Sequence, residues 1–260
     1  MALTWLARPP LLIAPGRPEP PLDATDPPCV NCARNSRMKP FCSIVLSLLS
    51  ATALLAADDA GWEKLFDGTS TAKWRGYKQT GFPAKGWTVE GGALKVLGGG
   101  GDLVTREKYE SFELEWQWKV SPGANSGVMF HVSEDFGAPY ETGPEYQVLD
   151  DAKHGDGKNP KTSAGALYAL IACNEKKALR PVGEWNKSRL VISGTHGEHW
   201  LNGRQVVRYD LGSPEMKALI AGSKFKSMPK FAQEKSGHIC LQDHGDAVWF
   251  RDIRVKRLQP

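Results

Sequence analysis

Long apolar stretches with a 3.6-residue period are nearly missing from this 260-residue chain, so an all-helical bundle is a poor starting point. Five cysteines are too few for a disulfide-built scaffold. Cys29 and Cys32 form one isolated CxxC without the second pair that a zinc site needs, and Cys173 and Cys240 are left as the two thiols that could pair in an oxidising compartment. No GxSxG elbow occurs, which removes the usual frame for a serine hydrolase, and neither HExxH nor an EF-hand spacing is present. The run of glycines at 98–101 lacks the following Lys-Ser/Thr of a phosphate loop and reads as a turn. The formal charge of +4 is modest and no basic stripe stands out, so nucleic acid is not an expected partner.

The sequence does contain 27 glycines, nine tryptophans and short alternating segments, as expected of many strands joined by turns. Residues 1–37 are rich in proline and arginine without apolar periodicity. Met38-Lys39, the apolar run 41–55 and the small pair Ala56-Ala57 then have the three-part pattern of a secretory signal peptide, with Met38 as a second candidate start. The run is short for a membrane span, and none is expected once the signal is removed. The expectation is therefore a leader over 1–57, a single domain over 58–260, and a secreted or periplasmic location.

Within that domain, WTVEGGALKVL (87–97) reads as a hairpin turning at Gly91-Gly92, and LNG (201–203) carries a type I′ signal. SFELEWQWKV (111–120) alternates apolar and polar residues along its length. In SGVMFHV (126–132), Val128, Phe130 and Val132 fall on one face and Met129 and His131 on the other. GALYALI (165–171) is taken as a further strand. Only SPEMKALIAG (213–222) has helical character, with Ser213 as cap and Gly222 as stop. In AVWFRDIRVKRL (247–258) the apolar positions switch from even to odd, which predicts a bulge near Arg251 or Asp252. The sum is an all-β fold, an antiparallel jelly-roll β-sandwich with one short helix. Such a sandwich can present a polar, concave sheet face suited to a sugar.

The chemistry-bearing residues gather around EYQVLD (145–150) and HICLQDH (238–244). If these strands share a sheet, Glu145, Gln147 and Gln242 point to one face, with His154 and His244 at strand ends. A carboxylate and an imidazole meeting in a groove could transfer a proton; a merely solvated sheet face would use the same residue types. Asp150 and Asp156, beside His154, have the atoms for a metal but not a known spacing. Trp185 and Asn186 offer a stacking plate and an amide, or else a core indole and a turn. Asn125, in NSG at 125–127, enters the next strand and is a further amide candidate.

The pieces GWEKLFDGTSTAKWRG, NSGVMF, GPEYQVLD, GALY, GEWN, LNG and GHICLQDHGDAVWFRDIRV, in this order from Gly61 nearly to the C-terminus, resemble the 3-keto-disaccharide hydrolase domain family. The resemblance implies a concanavalin A-like sandwich, usually exported, acting on glycosides whose C3 hydroxyl has become a ketone, by hydrolysis or by elimination across C1 and C2. A ketone at C3 acidifies the C2 proton, so a base suffices to begin the reaction. On this reading Glu145 or His154 is the base, and Lys158, His244 or a divalent cation partners the enolate. Gln147, Asn125, Trp185, Asn186 and Gln242 would contact the sugar, and His131 stands where many relatives are expected to have arginine. The alternative is a lectin-like module that binds carbohydrate without cleaving it.

Overall fold

The computed structural model describes residues 60–259; the expected leader over 1–57, with its expected signal peptide, lies outside them. The described residues form two antiparallel sheets packed face to face, as the alternation implied. The larger sheet contains β1 (Trp62–Phe66), β3 (Trp87–Glu90), β4 (Ala93–Val96), β6 (Phe112–Val120), β9 (Asn186–Ser193), β10 (His196–Leu201), β11 (Arg204–Asp210) and β13 (Val248–Arg257). Its order is β11-β10-β9-β6-β13-β4-β3, with β1 also paired to β13. The smaller sheet joins β2 (Trp74–Gly76), β5 (Leu103–Thr105), β7 (Asn125–Val132), β8 (Glu145–Leu149) and β12 (His238–Leu241) in the order β2-β5-β12-β7-β8. This jelly-roll brings β8 and β12 into one sheet, with β7 between them.

Alternation explains the layers. β6 buries Phe112, Leu114, Trp116, Trp118 and Val120 and leaves the intervening residues partly exposed. Trp116 meets Tyr146 of the smaller sheet edge-on, with ring centroids 4.9 Å apart. Beside them Trp118 Nε1 donates to Ser188 Oγ (2.8 Å), Ser188 Oγ donates to the Tyr146 hydroxyl (2.8 Å), and that hydroxyl donates to the Trp200 carbonyl (3.2 Å). The Trp118 indole N–H and the Ser188 and Tyr146 hydroxyls each find a partner, so this polar thread through an aromatic core carries little desolvation cost.

The hairpin at Asn202-Gly203 forms with both residues in the left-handed region. The helix, α1 (Pro214–Ala221), is capped by Ser213, whose Oγ accepts from Met216 N, and stops at Gly222. The bulge in β13 occurs where the parity change placed it: its register with β6 shifts between Arg251 and Arg254, and Asp252 is left-handed.

Three expectations are corrected. GALYALI is a chain of turns rather than a strand, because Gly165 and Ala169 have positive φ angles that extended pairing does not tolerate. Only isolated bridges, Tyr146 to Leu167 and Leu167 to Ile171, remain. A second bulge, with left-handed His131, breaks the alternation of β7, so Val132 joins Met129, Val104 and Cys240 instead of Val128 and Phe130. The cysteines do not pair: Cys240 is buried in that apolar cluster, and the Cys173 thiol faces the Ala164 carbonyl at 3.5 Å.

Candidate functional site

The site is built by register. Across the smaller sheet, Glu145 of β8 lies opposite Met129 of β7, and Met129 opposite Cys240 of β12, which faces Val104 of β5. The neighbouring row runs from Gln147 to Gly127, and Gln242 N donates to the Gly127 carbonyl (3.0 Å). Side chains of both rows project from the face turned away from the other sheet. One row is apolar apart from its end at Glu145; the other is Gln147 and Gln242 around a glycine. The Glu145 carboxyl lies over that glycine. Beside it opens a recess of about 180 Å³ lined by Asn125, Tyr140, Glu145, Gln147, Tyr168, Lys224, Gln242 and His244.

Three amide oxygens in this lining, Asn125 Oδ1, Gln147 Oε1 and Gln242 Oε1, are buried without a hydrogen-bond partner. The Gln147 amide is not loose. Gln147 Nε2 donates to the Thr162 carbonyl (3.1 Å), which turns its oxygen the other way. Unpaired buried acceptors are costly in a folded protein, and three around one cavity point to a ligand that brings donors. Hydroxyl groups fit that requirement.

Glu145 is 7% exposed, and burial pushes its carboxyl up to about 8. Lys224 opposes the shift, while Asp102 and Asp156 add to it. Lys224 comes from the 3-10 turn Lys224–Ser227 that follows α1, and its ammonium sits over the Tyr168 ring at 4.4 Å from the centroid. Tyr168 donates to Asp156 Oδ2 (3.2 Å), and its phenol is held well above the ordinary range by burial and by the carboxylates of Asp156 and Glu145. A carboxyl that can exchange its proton near neutral pH therefore shares one small space with a fixed cation and a phenol.

The wall at His244 is anchored from below. Asp243 Oδ2 accepts from Gly100 N (2.8 Å) and Gly101 N (3.0 Å), and Oδ1 accepts from Gly245 N (3.0 Å). Asp243 N in turn donates to Asp102 Oδ1 (2.8 Å), whose carboxyl is raised to about 6, mainly by burial. The glycine run is thus the seat of the turn that carries His244.

The structure brings Glu145, Gln147, Asn125, Gln242 and His244 together and leaves other sequence candidates outside the recess. His154 stands at the rim, its ring perpendicular to that of His244 at 6.3 Å, with Nδ1 accepting from Asp156 N (3.1 Å). Lys158 is exposed on the 3-10 turn Gly155–Lys158 and is not part of the lining. Trp185 lies on the outer face of the larger sheet against Lys119 and Arg251, and Asn186 Oδ1 is occupied by Arg180 N and Asn202 Nδ2. His131 is turned away by its bulge, 2% exposed, with Nε2 2.8 Å from the Glu110 carbonyl. Asp150 spends its carboxylate on Gly123 N (2.7 Å) and Ala152 N (3.0 Å). Among the described residues no three His, Cys, Asp or Glu side chains converge as metal ligands. Tyr140, Tyr168 and Lys224 were missed by the sequence reading. Only Tyr168, inside the GALY segment, carried a signal that could have found it.

Residues 61–256 match the family described as the 3-keto-alpha-glucoside-1,2-lyase-like domain. A relative from Bacteroides thetaiotaomicron named 3-keto-disaccharide hydrolase is 37% identical, the match covering 78% of this chain and 81% of the relative. Among crystal structures, a Parabacteroides distasonis protein described provisionally as a glycosyl hydrolase superposes with a TM-score of 0.72 at 33% identity, covering 78% of this chain and 97% of that one. A second from the same organism, with the same description, gives 0.62 at 27% identity, covering 76% and 99%.

Proposed function

The chain belongs to the family of 3-keto-alpha-glucoside-1,2-lyase-like domains, and from that premise we propose that it is a carbohydrate-cleaving enzyme acting on 3-keto-glycosides. The observation that carries this reading is the pairing, in one recess, of a buried Glu145 with three unpaired amide oxygens. The amides receive the hydroxyls of one sugar ring. Glu145, as carboxylate, takes the proton from C2, and the electron pair left behind moves into the C3 carbonyl to give an enolate. Collapse of the enolate expels the C1 substituent, whose oxygen leaves with the bonding pair and takes up a proton. The product has a double bond between C1 and C2; addition of water across it gives the free 3-keto sugar, so elimination followed by hydration equals hydrolysis.

A base for a carbon acid works best when its proton affinity is near the operating pH, and burial has moved Glu145 in that direction. The Lys224 ammonium is the fixed charge available to the O3 enolate, where preorganised charge contributes most. His244 is the group at the wall suited to protonate the leaving oxygen.

The test is to incubate the purified chain with a 3-keto-glucoside carrying deuterium at C2. Aglycone release with a primary isotope effect or loss of the label supports the reading; release with neither points to direct hydrolysis. A lectin-like module would bind the sugar through the same three amides and release nothing. We further propose that residues 1–57 act as a leader, with the signal peptide at 38–57 exporting the single domain 58–260 to the periplasm or beyond. An exported protein whose N-terminus maps near Asp58 is the expected result.

A further inference from the structure

Tyr140 is an aromatic residue at the mouth of the recess, 44% exposed. Single exposed aromatics are ordinary on protein surfaces, but the loop holding this one is built with unusual rigidity. Residues 133–144 connect β7 to β8, and the stretch 133–142 is fixed at both ends and in the middle. Glu134 receives two parallel hydrogen bonds from Arg75, Nη1 to Oε1 (2.6 Å) and Nη2 to Oε2 (2.9 Å), and a third from Lys78 N (2.6 Å). The Tyr77 hydroxyl lies 3.1 Å from the Ser133 carbonyl and 2.9 Å from the Phe136 carbonyl. Glu141 Oε1 accepts from Ala138 N (2.9 Å), closing the 3-10 turn Pro139–Glu141, and the Thr142 carbonyl accepts from Ala232 N (2.9 Å). The chain thus clamps this loop from β2, from within and from the segment after α1, leaving the phenol ring of Tyr140 in solvent beside the floor that holds Glu145.

Resting on the reading of the recess as a site of 3-keto-glycoside cleavage, we propose that Tyr140 is a specificity-determining residue for the leaving group. Its ring is the platform for a second pyranose attached at C1. The floor and inner walls supply the hydroxyl acceptors, and these address the oxidised ring. With about 180 Å³ of space, the recess has little room for a second ring, so the group at C1 must extend to the mouth. There the available surface is the Tyr140 face, and the C-H face of a pyranose packs on an aromatic ring as other apolar surfaces do. The clamps hold that platform in place before the substrate arrives, which reduces the ordering cost of binding.

The experiment uses the full chain carrying Glu145→Gln, so that ligand is not consumed, and calorimetric titration with a 3-keto-disaccharide and with methyl 3-keto-glucoside. Tighter binding of the disaccharide is expected. Adding Tyr140→Ala should weaken the disaccharide about tenfold and the methyl glycoside far less, while Tyr140→Phe should keep the preference because the ring face remains. Equal weakening of both ligands, no change in either, binding of neither by the parent variant, or loss of the preference on Tyr140→Phe would overturn the proposal. Failure of the underlying reading appears separately, as absence of aglycone release by the unsubstituted protein.

Discussion

Glu145 of β8 lies diagonally across from Gly127 of β7, and a methyl group on Gly127 would overlap the Glu145 carboxyl. The glycine is therefore what allows the carboxyl to lie over the floor. Gly127→Ala should fold, because its φ is not in the left-handed region, yet displace the carboxyl. The expected outcome is a loss of about 10²-fold or more in kcat on a 3-keto-glycoside with a small change in melting midpoint.

Glu145→Gln removes the proposed base and should lower kcat by about 10²- to 10⁴-fold. It should also change stability in a defined direction. The folded carboxyl is raised to about 8, against an ordinary value of 4.5, so between these pH values the folded state holds a proton that the unfolded state has released. Stability conferred by that proton is complete below about 4.5 and is lost as pH rises through about 8. The wild-type melting midpoint should fall across this window, and the variant should not show that part of the decline. Denaturation series at several pH values read the difference.

Activity should follow the opposite course. The carboxylate is the working form, so the rate on a 3-keto-glycoside should rise with pH and level off above about 8. Lys224 pulls the Glu145 value down, so Lys224→Met should move the profile to higher pH as well as lower its plateau. A profile unchanged in position would separate Lys224 from Glu145.

Asp243 holds three backbone N–H groups, and Asp243→Ala leaves all three to find water. A cost of about 1–3 kcal/mol is expected, with KM rising because the turn bearing His244 loses its seat. Thermal denaturation and steady-state kinetics measured together distinguish this from a purely global effect, in which KM would not move.

In acid the Glu134 clamp should open. The Arg75 guanidinium holds the Glu134 carboxyl below its ordinary 4.5, so this contribution is present above that value and lost as pH falls through the lower, folded value. Protease cleavage within residues 133–142 should increase as pH falls through that lower value, at a pH where the rest of the domain stays folded. Glu134→Gln should show the cleavage at neutral pH.

The strand content was legible wherever one face is buried and the other wet. In β6 and in the hairpin at Asn202-Gly203 the local pattern and the tertiary environment demand the same thing. The β13 bulge was legible for the same reason, since a parity switch in a two-faced strand has few other solutions. His131 was misplaced because β7 is buried on both faces, so its bulge leaves no trace in the alternation of polar and apolar residues. At the site, Glu145, Gln147 and Gln242 followed from strand parity. Lys224 and Tyr140 come from 3-10 turns distant in sequence, and nothing local marks a turn as a wall of someone else's cavity. The segment 150–158 looked like one cluster of charge. It divides into an Asp150 that ties a turn, a His154 at the rim and a Lys158 in solvent.

The two thiols within the described residues are both free, one sealed among Val104, Met129 and Val132 and the other resting on a carbonyl. No oxidation step is therefore needed to complete the described sandwich. Production in a reducing cytosol should give the same folded domain as production behind an export signal, and added dithiothreitol should leave its melting curve unchanged. Folding of the described domain is thereby uncoupled from the redox state of the compartment in which the chain is made.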